Sequence, residues 1–503
     1  MDKLKLPRLA YNWISTVGLM IVASTIFVIL FLVGLNFFAR LSNPYLGIFL
    51  YMILPPILIF GLILIPLGMW RQWSIWKRTG EVSVTTWPYI DMNKSSHRNA
   101  FAIFVIGTLI FIFISAVGSY QAYHFTESVT FCGKTCHSVM NPEYTAYQNS
   151  PHARVACVSC HVGPGAGWYT KSKLSGMYQV YAVVAKVYPK PIPTPVRNLR
   201  PAQETCEECH WPRQFYGGQQ RQLNHYKYDQ KNTYWPINML IKTGGGDPKN
   251  GQAAGIHWHM NIGFKVEYIA RDERRQDIPW VRVIDRVTGR MTVYQDTTNP
   301  LTKEEIAKAT PRVMDCMDCH NRPSHIYHSP DYSIDLAILT GQIDTTLPDI
   351  KRVAVEAMAR EYATDDDAMR GIADSVTNYY RLNYADLYNQ NQASINNTIL
   401  AIQKQFSQNI FPSMKVRWDQ YPNNIGHFTS IGCFRCHLGN HKNEGGVTLT
   451  HDCKACHLIL SQGSGEAAEA STTQIGLEFK HPEDIGDTWK ESGCYECHTG
   501  VQP

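Results

Sequence analysis

The sequence has no cysteine outside a pair, no charged residue in three stretches long enough to cross a membrane, and no acid between Val162 and Gln203. The first absence excludes a spare reactive thiol, because all fourteen cysteines fall into seven pairs, each followed at once by a histidine. It also speaks against a disulfide framework, the device of small secreted domains rather than of a 503-residue chain. The second absence excludes a wholly soluble chain. Leu9 to Ala39, Leu41 to Trp70 and Asn99 to Thr126 hold no Asp, Glu, Lys or Arg, and each supplies the roughly 20 apolar residues that a spanning helix needs. Pro55, Pro56 and Pro66 lie in the second stretch, where neighbouring helices can satisfy the freed carbonyls. The first stretch is too long for a cleaved secretion signal, and two more follow it.

Six of the pairs read Cys-x-x-Cys-His: Cys157–Cys160–His161, Cys206–Cys209–His210, Cys316–Cys319–His320, Cys433–Cys436–His437, Cys453–Cys456–His457 and Cys494–Cys497–His498. The first in the chain, Cys132–Cys136–His137, has one more residue between its thiols. Two thiols at this spacing form thioethers to the two vinyl groups of a haem, and the adjacent histidine becomes the proximal iron ligand. Zinc would draw four ligands from two pairs and leaves the histidine after each second cysteine without a role. The chain therefore reads as a carrier of seven haem c groups.

Topology follows from the basic residues. Lys3, Lys5 and Arg8 precede the first span, and Arg71, Lys77, Arg78, Lys94 and Arg98 separate the second from the third, whereas only Arg40 lies between the first two. The amino terminus is then cytoplasmic and everything after residue 122 external. Haem is attached to c-type cytochromes on that same outer side. The expected localisation is the bacterial cytoplasmic membrane, multi-pass, with the haem domain periplasmic.

The fold class expected is an α-helical anchor of three transmembrane helices followed by a mainly α and irregular multihaem cytochrome c domain with a small β-rich insert. The expected divisions are an anchor over 1–122, a core with haems one to three over 123–215, and a β-rich insert without a haem motif over 216–310. Haem four and a helical segment then occupy 311–410, and haems five to seven 411–503. The alternation Trp280-Val-Arg-Val-Ile-Asp followed by Val-Thr-Gly-Arg-Met-Thr-Val-Tyr predicts a β-hairpin. Ser333–Gln408 is helical in pattern, most clearly at Ile350-Lys-Arg-Val-Ala-Val-Glu-Ala-Met-Ala. Ser461–Thr473, small and polar, reads as a loop. With seven haems to bury, the haems themselves are expected to make up much of the core.

Each iron needs a second axial ligand, and twelve histidines lie outside the motifs, His97 among them on the cytoplasmic side. His152, His325, His427, His441 and His481 sit in Pro-, Gly- or Asn-rich loops near motifs and are distal candidates. His257 and His259 flank Trp258; on a strand both would aim at one face, so one of them is a ligand, and His257 is the choice. His225, His328 and His451 stay open, and His124 reads as a membrane-interface residue. Met140, three residues past His137, is a candidate for the first haem, against ordinary packing. A Met ligand would raise that haem's potential.

Phe131-Cys-Gly-Lys-Thr-Cys-His-Ser-Val-Met-Asn-Pro-Glu-Tyr, continuing to Cys157-Val-Ser-Cys-His, resembles the start of the haem domain in the NapC/NirT/NrfH family, and Thr205-Cys-Glu-Glu-Cys-His-Trp-Pro resembles that family's next motif. The seven motifs, three spans and the segment Cys316-Met-Asp-Cys-His-Asn-Arg-Pro-Ser-His look most like the seven-haem inner-membrane cytochromes of metal-reducing bacteria. The resemblance implies a membrane-anchored quinol dehydrogenase with its quinol site beside the first haem. It maps the family's Met ligand to Met140 and its pocket lysine to Lys171 or Lys173. The family's pocket aspartate has no counterpart in the acid-free stretch. Gln179 occupies the equivalent neighbourhood and cannot take a proton, which leaves Glu143 as a candidate acceptor, against simple solvent exposure. Read without the resemblance, Lys171, Lys173, Lys186 and Lys190 suit anionic lipid headgroups.

Three functions compete. The first is oxidation of quinol from the membrane pool, menaquinol by expectation, with electrons passed to a periplasmic cytochrome or reductase in anaerobic or metal-linked respiration. The second is an electron-relay subunit of a larger membrane complex without its own quinone site. The third, reduction of a small nitrogen or sulfur compound, needs an open iron, which nitrite-reducing relatives mark with a Cys-x-x-Cys-Lys that this chain lacks. The net charge of +5 covers both sides of the membrane and identifies no docking partner. Nothing points to nucleic acid, and a homo-oligomer or larger complex stays open.

Overall fold

The computed structural model describes residues 8–39, 53–79, 91–135, 137–196, 199–211, 215, 217–246 and 254–501. Lys3, Lys5, Arg40 and Cys136 lie outside the described residues, as does the side chain of His137. The chain forms two compact units, one of Met1–Glu127 with Val162–Met177, the other of Ser128–His161 with Tyr178–Pro503.

The first unit holds three helices long and apolar enough to cross a membrane: α1 (Trp13–Ala39), α2 (Leu54–Thr79) and α3 (Ser95–Thr126). α1 and α2 pack through small residues. A Cβ on Gly18 would stand 2.7 Å from the Gly61 carbonyl oxygen, and the Ser15 hydroxyl donates to the Ile65 carbonyl at 2.9 Å. Close backbone approach with a polar clasp is how helices associate where the surroundings are as apolar as the side chains. Pro66 sits inside α2 without ending it. α3 leaves Ile103, Phe104, Phe111 and Phe113 exposed, as a lipid-facing helix does.

The second unit is built on two antiparallel sheets and a helical block. The strands are β1 (Gly218–Tyr226), β2 (Tyr234–Lys242), β3 (Phe264–Ile269), β4 (Trp280–Asp285), β5 (Met291–Asp296), β6 (Arg312–Val313), β7 (His441–Lys442), β8 (His457–Gln462) and β9 (Glu469–Ala470). One sheet runs β1-β2-β8-β9, the other β6-β3-β4-β5-β7. The hairpin expected from alternation is β4 against β5, with Trp280 opposite Gln295. The β-rich stretch is nonetheless not self-contained. β6 leads into the Cys316 motif, β7 follows the Cys433 motif, and β8 begins on His457 itself, so the sheets act as a frame for motifs from distant parts of the chain. Ser461–Thr473, expected as a loop, completes β8 and supplies β9.

The helical block contains α4 (Pro330–Leu339), α5 (Ile350–Ala359), α6 (Asp365–Asn383) and α7 (Gln392–Asn409). Ser329 caps α4 by accepting from the Tyr332 N–H, with Pro330 in the first turn. Thr364 caps α6, where Asp365, Asp366 and Asp367 meet the positive end of the helix dipole. On α5 the buried Ile350, Val353, Ala354, Ala357 and Met358 recur at i, i+3, i+4, i+7 and i+8, the stripe of a helix facing a core. They pack with Ile334, Ile338, Ile372, Val376, Tyr380, Ile402 and Phe406. This core is made of side chains alone, so residues 330–421 owe less to haem burial than the motif count implied.

A charged cluster joins β1 to this block. Lys351, fully buried, places Nζ 2.6 Å from Asp331 Oδ1 and 2.5 Å from Asp335 Oδ1. The Tyr228 hydroxyl donates to Asp331 at 2.8 Å, the Tyr226 N–H to Asp335 at 3.2 Å, and His225 Nδ1 lies 3.5 Å from Asp335.

Candidate haem-ligand and quinol sites

The cysteine motifs fold as single helical turns at Cys157–His161, Cys316–Cys319, Phe434–His437, Cys453–Cys456 and Cys494–Cys497. Thiols three apart on a helix share a face, which is what a two-point attachment requires. Two turns are held by acids placed just before them: Asp315 accepts from the Met317 N–H and Asp452 from the Lys454 N–H, both at 2.9 Å. The first motif differs in structure as in sequence. Phe131–Thr135 is a π-helical turn, wider than an α turn.

Six histidines outside the motifs each face one motif histidine across a gap. The ring centroids are 6.3 Å apart for His325 and His161, 6.1 Å for His152 and His210, and 6.3 Å for His257 and His320. They are 5.8 Å apart for His259 and His437, 6.2 Å for His427 and His457, and 5.9 Å for His481 and His498. Metal–imidazole bonds of about 2 Å, with about 1 Å more from nitrogen to ring centre on each side, give a span close to 6 Å, so the gaps fit an iron held between two imidazoles. Five of the six distal rings also have the other nitrogen fixed. Nδ1 lies against the carbonyl oxygen of Pro323 for His152, Thr243 for His257, Ile256 for His259, Glu143 for His325 and Glu483 for His481, at 2.8–3.2 Å. A carbonyl only accepts, so at His152, His257, His259 and His325 Nδ1 carries the proton and Nε2 keeps a free lone pair, the form that binds metal; at His481 the Glu483 N–H also reaches Nδ1, at 3.2 Å. Burial, reinforced by the facing His437, pushes the His259 pKa down to about 4. Desolvation likewise lowers His325, His427, His437, His457 and His498.

In the first unit, the end of α3 meets the start of helix Ala166–Val184. Lys173 Nζ lies 3.8 Å from Glu127 Oε1, and the Tyr123 hydroxyl donates to Glu127 Oε2 at 2.8 Å. Lys173 also sits 5.0 Å over the Tyr169 ring, and Lys171 4.9 Å over that of Trp168. Along the same helix Leu174, Met177, Tyr178, Tyr181 and Val184 are exposed.

Against known proteins, the cytochrome c-type protein ImcH of Geobacter sulfurreducens is 46% identical over 488 residues, spanning 97% of this chain and 95% of that protein. The family model "NapC/NirT cytochrome c family, N-terminal region" matches residues 93–191. The chain belongs to the NapC/NirT cytochrome c family. As a NapC/NirT cytochrome it carries covalently bound haem c. The cytochrome c-type protein NrfH of Wolinella succinogenes is 30% identical over 122 residues, 24% of this chain and 68% of that protein. No solved structure matches.

Several candidates in this NapC/NirT chain stand elsewhere than expected. His441 faces no motif histidine: its ring is buried, Nε2 lies 2.7 Å from the Ile278 carbonyl and Nδ1 3.0 Å from Asn440 Oδ1, so neither nitrogen is left for iron. His259, set aside in favour of His257, has a partner of its own. The expectation took the segment as a strand, whereas Ile256–Met260 is a 3-10 helix. At three residues per turn, positions two apart diverge, and the two rings reach different motifs. His225 pairs with Asp335, His328 stacks on Tyr332 at 4.4 Å, and His124 lies against Tyr120 and Tyr123. Met140 is half-buried in helix His137–Gln148.

Glu143 is committed as well. It accepts a short hydrogen bond from the Tyr327 hydroxyl, Arg322 lies 3.5 Å away, and its carbonyl holds His325. That makes it a fastener for the Asn321–His325 segment rather than a carboxylate open to a substrate. The stretch after the second motif holds no acid, but the structure brings Glu127 to it from the end of α3. Lys173 is placed beside it; Lys171 is not.

Proposed function

We propose that this chain is a seven-haem cytochrome of the bacterial inner membrane that oxidises a membrane quinol such as menaquinol and passes the electrons to a periplasmic acceptor. The observation that carries the reading is the set of six imidazole pairs. Irons closed on both faces by protein transfer electrons and bind no small substrate, which disfavours a nitrogen- or sulfur-reducing enzyme. The proposed distal ligands are His325, His152, His257, His259, His427 and His481, taken in the order of motifs two to seven. Met140 is the proposed ligand of the first haem. Bound haem supplies the one-electron chemistry; the chain attaches it, orients it and closes its iron.

The quinol half rests on Lys173, Glu127, Tyr123 and Tyr169 at the end of α3. Oxidising a quinol releases two electrons and two protons, so the site needs a base as well as a cation that orients the quinol oxygen. Glu127 supplies the base that the acid-free stretch lacks, and Lys173 the cation. The exposed apolar face of helix Ala166–Val184, beside Lys171 and Lys173, suits the boundary between headgroups and acyl chains where a quinol is met. Near the last motif, Glu478, Glu483, Asp484, Asp487, Glu491 and Glu496 outnumber Lys480 and Lys490, which favours an acceptor with a basic face.

The deciding measurement mixes the purified full chain, in nanodiscs, with a menaquinol analogue and follows the haem absorbance. Reduction within seconds is expected. Intact haem spectra without reduction would instead mark a relay subunit of a larger complex. A second result concerns the ligands: His259→Ala is expected to turn one haem high-spin by electron paramagnetic resonance, while His441→Gln leaves the low-spin signals unchanged. The reverse pattern would restore His441 as a ligand.

A further inference from the structure

We propose that the haems of this chain form one unbranched row whose order in space is the order of their motifs in the sequence. The inference rests on the electron-transfer reading above and adds the path, which neither the motif spacing nor the relatives specify.

Each junction is visible in the contacts between motifs. Between the first and second, Tyr147, on the helix that follows the first motif, donates to the Val155 carbonyl just before the second at 3.0 Å, and Cys132 is in electrostatic range of Cys157. Between the second and third, the turn Cys157–His161 packs on helix Ala202–Cys206, with Cys160 in electrostatic range of Cys209. That same helix packs on the turn Cys316–Cys319, with Cys206 in electrostatic range of Cys316, which joins the third motif to the fourth. The fourth and fifth are tied by Arg435, inside one motif, whose Nη2 donates to the carbonyl of Asp318, inside the other, at 2.7 Å. Cys319 and Cys436 are also in electrostatic range of each other.

The last two junctions run through distal residues. His427, which faces His457 of the sixth motif, stacks on Phe434 of the fifth at 4.3 Å and 13°. Phe428, its neighbour in the chain, stacks on His498 of the seventh at 4.6 Å, and Cys453 and Cys494 are in electrostatic range. Every one of these contacts joins consecutive motifs. Because the cysteines are the haem attachment points, neighbouring attachment points mean neighbouring haems. Electrons entering at the first haem would then reach the seventh only through all the others, and they would leave from the carboxyl-terminal end.

The test removes one haem at a time. In full-length Cys316→Ala/Cys319→Ala, lacking the fourth haem, quinol is expected to reduce only half of the remaining six haems quickly, counted against full reduction by dithionite. In Cys494→Ala/Cys497→Ala, lacking the seventh, quinol should still reach all six remaining haems. Rapid reduction of all six in the first variant would overturn the row. Should removal of the fourth haem disturb the fold, a cryo-electron-microscopy map of the loaded wild type gives the same answer. It is expected to show each iron nearest to those of the adjoining motifs; a non-consecutive pair closer than a consecutive one would overturn the proposal. The map needs no quinol, so a wild type that quinol fails to reduce would count against the function proposed above and leave the row to be judged by iron positions.

Discussion

Glu127→Gln is expected to slow reduction by quinol about 100- to 10,000-fold, the usual contribution of a positioned general base, while dithionite still reduces every haem. The glutamine is nearly the same shape. Its carbonyl oxygen can keep the hydrogen bond from Tyr123, which reaches Glu127 Oε2 at 2.8 Å, so the end of α3 should hold its form. What it loses is the capacity to take a proton at Oε1, the atom that faces Lys173 at 3.8 Å and has no hydrogen-bond partner among the described residues. In the proposed site, a quinol proton would go to this second oxygen, beside the lysine, while Tyr123 anchors the first. The effect should fall on kcat and leave KM for the quinol nearly unchanged, because a proton acceptor acts in the transition state. Glu127→Asp should recover part of the rate. Lys173→Met should act differently, raising KM by removing the cation that orients the quinol oxygen. A Glu127→Gln rate within twofold of wild type would move the proton acceptor elsewhere.

What was legible in the sequence follows the range of the interactions concerned. Haem attachment is local: two thiols and a histidine within five or six residues state their own chemistry, and so do apolar runs of spanning length. The helix Ile350–Ala359 was legible for the same reason, since its buried stripe is written at helical spacing. The pairing of imidazoles across a gap is not local. His325 lies five residues beyond the fourth motif yet faces His161 of the second, and His152, between the first two motifs, faces His210 of the third. No spacing rule reaches across such distances, so proximity in sequence selected His441, whose nitrogens the Ile278 carbonyl and Asn440 occupy. His259 was set aside for another reason: on a strand it would share a face with His257, whereas a 3-10 helix forms there. Glu127 needed the packing of α3 against the start of a helix some forty residues later in the chain, and β8 needed β2 to pair with it.

Lys351→Met is expected to destabilise the second unit by about 3–5 kcal/mol, the cost of stranding one side of a buried ion pair. The lysine is fully buried and serves two carboxylates. Burial alone would raise the Asp331 pKa, but Lys351 and the Tyr228 hydroxyl outweigh it and hold that carboxyl below its usual value. Asp335 goes the other way, because burial there exceeds what His225 and Lys351 return. The two acids share one cation and titrate as a unit. With the lysine gone, two carboxylates face each other in a low-dielectric site, and one must take up a proton for the fold to persist. A carboxyl whose folded pKa is raised binds more protons folded than unfolded, so its presence lowers stability as pH rises above the unfolded value of about 4. The melting temperature of Lys351→Met should therefore fall steadily between about pH 4 and pH 7, a slope that the wild type, with its lysine in place, should largely lack. Adding Asp335→Asn should restore part of the loss at pH 7 by removing the repulsion, although it leaves Asp331 without its cation. Circular dichroism melts of the three proteins at several pH values separate this electrostatic account from simple loss of packing, which would lower the melting temperature equally at every pH and gain nothing from the second substitution.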